Sequence, residues 1–254
     1  MLIALVNRSS LVSNADLEII AAAIQIQLDL HVLPAWNMKD ATIQFYADEK
    51  TIPGYAWILY IIDTDAQVEG ALGFHEEVND KTDGYIMCEP ILSNGGVVMN
   101  FDASNPGQYS VSGTISHEVC EMVGDVYTNT YYDDGSGILW CGELCDPVEQ
   151  VGYGITVNGQ MIAVSDFLFP AFFNSQSTLP RNAPLNYLNT LVKPFSMLAG
   201  GYSIQRVGDA AQQVFARGMP TWRKKMKKTA FSRASRRNAK SDKFFANLWK
   251  WLIG

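Results

Sequence analysis

The chain has 254 residues, 48% of them hydrophobic, enough for one full-sized domain with a real core or for a domain plus an appendage. Four cysteines are too few for a secreted disulfide scaffold, and no apolar run reaches the roughly 18 residues of a membrane span. The formal charge of −7 is unevenly divided: residues 221–254 hold 11 Lys/Arg against one Asp, and the preceding residues hold 8 against 25. Any polyanion, anionic membrane or acidic protein surface would therefore be met by the tail and not by the acidic body.

The chain opens with residues 2–8, which read as a buried first strand rather than a signal peptide, with no basic leader and no small-residue cleavage site. Asn14 is placed to cap a helix through Leu30, with Asp16 and Glu18 in its first turn and Ile19, Ile20, Ala23, Ile24 and Leu28 on its apolar face. Residues 42–48 alternate as a strand, Pro53-Gly54 marks a turn, and the β-branched and aromatic run 55–63 reads as a central strand. Residues 71–75 and 85–91 are two further strands, with Pro90 arguing for an edge or a bulge. Asn105-Pro106-Gly107 turns the chain into a helix over about 109–123, with Gly124 as its terminator.

Residues 126–149 form a polar, Gly/Asp-rich loop of the kind that carries function. Tyr153–Val157 and Gln160–Val164, joined through Asn158-Gly159, predict a hairpin. The stretches 165–173 and 185–198 are expected to pack on the 109–123 helix, and residues 199–204 to close a domain spanning 1–204. An arm over 205–254 follows. It is basic and poor in aliphatic side chains from Thr221 to Lys243, then aromatic from Phe244 to Ile253.

Chemistry concentrates in Ser116-His117-Glu118-Val119-Cys120-Glu121-Met122-Val123-Gly124-Asp125. On a helix, positions i and i+4 share a face, so His117 and Glu121 can aim an imidazole nitrogen and a carboxylate oxygen at one point. Both are ligands for a divalent ion such as zinc. Glu118 lies about 100° around the helix and can reach a water on that ion. This is the logic of H-E-x-x-H with Glu in place of the second His. The acids of the loop, Glu143 and Asp146, can fold back as a third ligand. His75 reads first as a strand histidine with an ordinary hydrogen bond, and His31 as a favourable charge at a helix end.

The segments Ser116–Asp125, Tyr131-Tyr132-Asp133, Glu143-Leu144-Cys145-Asp146-Pro147-Val148-Glu149, Val164-Ser165-Asp166-Phe167 and Pro170-Ala171-Phe172-Phe173 follow one another along the chain. Together with Ala71-Leu72-Gly73-Phe74-His75, this pattern resembles an uncharacterised family of bacterial and phage zincin-like proteins with an H-E-x-x-E site. The resemblance covers roughly residues 70–175. It implies that His117 and Glu121 bind Zn2+, that Glu118 is the general base, and that Glu143 or Asp146 supplies the third ligand. His75 and Tyr132 join Glu118 as catalytic candidates, Tyr132 as a donor to the oxyanion alongside Tyr131 and Tyr153. A second carboxylate ligand acidifies bound water less than a neutral imidazole would, and admits a harder ion such as Ca2+ or Mn2+.

The expected fold is α+β: a zincin-like domain with a mixed β-sheet packed on an active-site helix, plus an extended basic C-terminal arm. Two functions follow from this reading. One is a metal-dependent peptidase or related hydrolase acting on a peptide or protein. The other is a non-catalytic structural component of a phage particle or other assembly, docking through its arm to another subunit, an anionic membrane or nucleic acid. Either places the protein in the bacterial cytoplasm or on a virion, with homo-oligomerisation open.

Overall fold

The computed structural model describes residues 1–65, 71–78, 81–125, 129–174, 180, 182–208 and 210–224. The basic arm from residue 225 onward lies outside them.

The first sheet takes its shape from apolar strands. β1 (Leu2–Asn7), β2 (Thr42–Tyr46), β3 (Trp57–Ile62) and β5 (Lys81–Met87) run parallel, and β4 (Gly73–Val78) runs antiparallel to β5 at the edge, in the order β2-β1-β3-β5-β4. Ile3, Leu5, Leu59, Ile61 and Ile86 are fully buried, as expected of inner strands covered by other layers.

Helix α1 (Asn14–Gln27) starts at a capping box. Ser13 Oγ accepts from the Asp16 amide at 3.1 Å, and the Asp16 carboxylate accepts from the Ser13 amide at 3.2 Å. The cap is thus Ser13, while the expected Asn14 accepts from Asn7 Nδ2 at 2.8 Å. The helix does not stop near Leu30. It runs through a π turn (Leu28–Val32) into α2 (Leu33–Trp36), where Pro34 lacks the N–H that a regular ladder would use, and Asn37 ends it at φ 50°. The 23 residues Asn14–Trp36 are long and apolar enough by composition to cross a membrane. Leu17, Ile20, Ile24, Leu28 and Val32 are nonetheless buried in the protein core.

Pro90 does not mark a strand edge. It sits in the first turn of α3 (Cys88–Ser93), where its missing N–H costs no helical hydrogen bond. The chain then enters α4 (Val111–Gly124), capped by Ser110 Oγ on the Gly113 amide at 2.9 Å. Gly124 is the last helical residue and Asp125 the C-cap. The Gly124 position is tight: an added Cβ would come within 2.3 Å of Leu144 Cδ1.

Two antiparallel units complete the structure. β8 (Gly152–Val157) and β9 (Gln160–Ser165) form the expected hairpin, turned by Asn158 (φ 50°) and Gly159 (φ 80°). β6 (Tyr131–Asp133), β7 (Leu139–Cys141), β10 (Tyr202–Val207) and β11 (Ala210–Phe215) form a sheet in the order β11-β10-β7-β6. Beyond residue 204 the chain stays on the body: β11 pairs with β10, and Met219 and Arg223 are buried. All four cysteines are free and buried. Helices combined with a mixed sheet, an antiparallel sheet and an antiparallel hairpin make the fold α+β.

Candidate metal centre

α4 is buried on almost every side. Val111, Ile115, Val119, Cys120 and Met122 belong to the main apolar core. Its serines bind it to the neighbouring layers: Ser112 Oγ donates to the Ala163 carbonyl at 2.7 Å, and Ser116 Oγ donates to Gln27 Oε1 at 2.6 Å while accepting the Ser165 amide at 2.9 Å. The helix is thereby fixed to β9 and to α1. Such fixing is what a site requiring sub-ångström placement needs from its scaffold.

Against that frame three donors converge. His117 Nε2 lies 3.0 Å from Glu121 Oε1 and 3.2 Å from Asp146 Oδ1. Glu121 and Asp146 are fully buried and His117 nearly so. Asp146 is delivered by a short 3-10 turn, Asp146–Val148, and Glu121 Oε1 also accepts the Cys145 amide at 3.4 Å. The turn is pressed into place by the β10 approach: a Cβ at Gly201 would come within 2.4 Å of the Pro147 carbonyl oxygen. Burial disfavours the His117 imidazolium, but the charge of Glu121, hydrogen bonds to Asp146 and Glu121, and the charge of Glu118 outweigh it and hold His117 protonated well above the usual histidine range.

A second contact adjoins the first. His75, on edge strand β4, places Nδ1 2.8 Å from Glu118 Oε2, with both side chains buried. Glu121 belongs to both clusters: His75, Glu118 and Glu121 bring ligand atoms within 4.8 Å of one another, as do His117, Glu121 and Asp146. A narrow cavity of about 50 Å3 reaches His117 and Glu118, with Tyr109, Tyr202, Glu149 and Arg223 on its walls.

The donor set suits a divalent ion. With metal–ligand bonds of about 2.0–2.1 Å, the edge of a coordination tetrahedron is about 3.3 Å. The separations of 3.0 and 3.2 Å around His117 Nε2 are close to that edge. One imidazole and two carboxylates are ligands for zinc, and also for harder ions.

The remaining predicted residues are distributed elsewhere. Glu143 is not with His117. It sits with Asp125 and Cys141 in a separate buried group, because β7 and the residues after it carry it to the C-terminal end of α4. Tyr132 stacks on Phe173 at 4.3 Å between ring centroids and does not line the cavity. Tyr153 bonds to Gln27 and His31. Tyr131 packs against a cluster around Phe74 and Met87. His31 is held through both ring nitrogens, by Tyr153 at 2.8 Å and Tyr187 at 3.1 Å, and burial lowers its pKa, so it is a structural residue and not a charged helix end. The phenols facing the cavity, Tyr109 and Tyr202, and the buried pair Arg223–Glu149 carried no local sequence signal: Arg223 lies 106 residues beyond His117 and meets the site only through the fold.

Comparison with protein families, characterised proteins and solved structures finds no match to this chain.

Proposed function

We propose that the chain is a divalent-metal-dependent hydrolase of zincin-like type, acting on peptide bonds. His117, Glu121 and Asp146 would hold the ion, and the convergence of Glu121 Oε1 and Asp146 Oδ1 on one imidazole nitrogen is the observation that carries this reading. When bound, such an ion supplies a Lewis acid and a water of lowered pKa. The chain's own residues do the rest. Glu118 accepts the water proton and returns it to the leaving amine. His75 is a positioning residue: its Nδ1 contact holds the Glu118 carboxylate in one orientation. β4 ends the first sheet beside the site, and an extended peptide can add to that edge by main-chain hydrogen bonds. Tyr109 and Tyr202 line the cavity and would take the part assigned from sequence to Tyr132.

The test is Glu118→Gln. It should abolish cleavage of a peptide library by the zinc-loaded chain while the ion at His117, Glu121 and Asp146 stays bound. A variant that still cleaves rules out Glu118 as base. The narrowness of the cavity favours a second reading, a non-catalytic zincin-like component of an assembly such as a phage particle in which the ion only stabilises the fold. No cleavage by wild type, together with a large loss of thermal stability on chelation, would select that reading.

A further inference from the structure

We propose that the Glu149 carboxylate selects the substrate of this site, taking an arginine side chain beside the scissile peptide bond, and that Arg223 of the chain itself fills that place in the structure. This rests on the hydrolase reading above and adds a substrate class to it.

The first observation is placement. Glu149 closes the 3-10 turn that delivers Asp146, and its amide donates to the Asp146 carbonyl at 3.3 Å. Its position is thereby tied to that of a proposed metal ligand. The same residue lines the cavity that reaches His117 and Glu118, and its side chain is only 7% exposed. A carboxylate set so deep stays charged when a cation matches it.

The second observation is that the match is incomplete. Glu149 Oε1 accepts from Arg223 Nη2, while Glu149 Oε2 is buried with no hydrogen-bond partner among the described residues. Arg8 and Glu49 show the complete form in the same chain: Arg8 Nε meets Glu49 Oε1 at 2.9 Å, and Nη2 meets Oε2 at 2.8 Å. That two-pronged fork is the stronger arrangement. A guanidinium able to reach both oxygens of Glu149 therefore competes with Arg223. The ammonium of lysine, a point charge, does not supply the fork.

The third observation is how Arg223 arrives. It stands on a segment after β11 whose Arg223 and Lys224 amides donate to the Pro220 carbonyl, at 3.1 and 3.3 Å, within the segment itself. Met219 in an apolar cluster, Trp222 edge-on to Tyr109 at 5.6 Å between ring centroids, and Arg223 on Glu149 tie the segment to the body. Glu149 belongs to the frame of the site, and Arg223 is brought to it from outside. With Arg223 on its wall the cavity holds about 50 Å3. Pockets that enclose a ligand run to about 300–1,000 Å3. Arg223 thus acts as an internal stand-in for the substrate, and its withdrawal clears both the space and the carboxylate.

The first test needs no catalysis. N-ethylguanidinium has the head group of an arginine side chain. By calorimetry it should bind the full-length Arg223→Ala chain about 100-fold more tightly than it binds wild type or Arg223→Ala/Glu149→Gln. Equal binding to the double variant, or none to the single one, overturns the subsite. Arg223→Met, which keeps an unbranched apolar stem, replaces Arg223→Ala if the latter does not fold. Wild type supplies a check free of any substitution. A tripeptide amide with a central arginine, in large excess, should displace the segment and speed hydrogen exchange at the Arg223 and Lys224 amides about 10-fold. The glutamine counterpart should not, and unchanged exchange with the arginine peptide counts against the proposal.

The peptide library then separates the two readings. Arg223→Ala should cleave faster than wild type, beside arginine. The ratio of kcat/KM for arginine over glutamine peptides should fall about 100-fold when Glu149→Gln is added. Cleavage with no preference for arginine overturns the selecting role of Glu149 and leaves the hydrolase standing. Guanidinium binding with no cleavage by any form sinks the hydrolase, and the substrate role with it, leaving a cation site alone.

Discussion

Two of the buried carboxylate centres at and around α4 are built in opposite ways. Asp166, at the end of β9, is met by neutral N–H donors: its Oδ1 accepts the Phe167 amide at 2.8 Å and the Leu188 amide at 3.2 Å, and its Oδ2 accepts Asn186 Nδ2 at 2.5 Å. Asn186 Oδ1 in turn accepts the Thr190 and Leu191 amides, at 3.0 and 2.9 Å. Glu121 and Asp146 converge instead on an imidazole nitrogen, with Glu118 and His75 alongside. Burial alone therefore does not identify a functional acid. A carboxylate ringed by amides fastens loops, whereas carboxylates gathered around an imidazole are the arrangement that the proposed cation cradle requires.

The largest effect should come from breaking the cradle. Asp146→Ala removes one of three donors, and its zinc affinity, measured by competition with a chelator, should fall by more than the roughly 100-fold seen for residues that merely support a ligand. The loop-fastening centre should answer in a different observable. Asp166→Ala strands two amides and Asn186, and should lower unfolding free energy by about 3 kcal/mol without changing the number of ions bound. Loss of metal in the Asp166 variant would erase the distinction between the two centres.

Titration sharpens the contrast. Burial pushes the Asp166 carboxyl up from its ordinary value to about 6, against the pull of Asn186 and the backbone amides. The folded state then holds this proton more tightly than the unfolded chain. The contribution is complete below about pH 4 and is lost as pH rises to about 6, a fall on the order of 2–3 kcal/mol. His117, also raised, gives stability below the ordinary histidine value near 6.5 that is lost as pH rises through its higher folded value. Zinc must displace that proton. Urea melts of the ion-free chain should show falling stability in both windows. At saturating zinc the upper window should reverse sign while the lower one persists.

The proposed cradle was more legible in the sequence than the loop fastening. The helical repeat of His117 and Glu121 is a local property, and so are the strand patterns of 2–8, 42–48 and 55–63, which match β1, β2 and β3 to within a few residues. Choosing between Glu143 and Asp146 depended on the direction of a turn, and composition cannot supply that: the 3-10 turn at Asp146 aims its carboxylate inward, while Glu143, three residues earlier, faces Asp125 and Cys141. Pro90 misled because a proline suits a strand edge and a first helical turn equally well; only the pairing of β5 with β3 and β4 decides. The contact of His75 with Glu118 spans 43 residues and exists only because β4 turns back along β5 beside α4.

The smallest change probes how finely that last contact is set. A Cβ at Gly73 would approach Glu118 Cγ, Glu118 Oε1 and Ile86 Cδ1, each at 3.0 Å. All three are side-chain atoms able to give by a few tenths of an ångström, and replacing glycine by alanine within a strand recovers roughly 0.5–1 kcal/mol of backbone entropy. Gly73→Ala should therefore leave the melting temperature nearly unchanged. The carboxylate it displaces is the proposed base, and misplacement by about 1 Å can cost a catalytic group about 100-fold. A shift of a few tenths should lower cleavage by about 10-fold, with the ion at His117, Glu121 and Asp146 still bound. A fall in stability without a fall in rate would mean that Glu118 is packing rather than chemistry, and the contrast between fastening and cradle would then hold only for His117, Glu121 and Asp146.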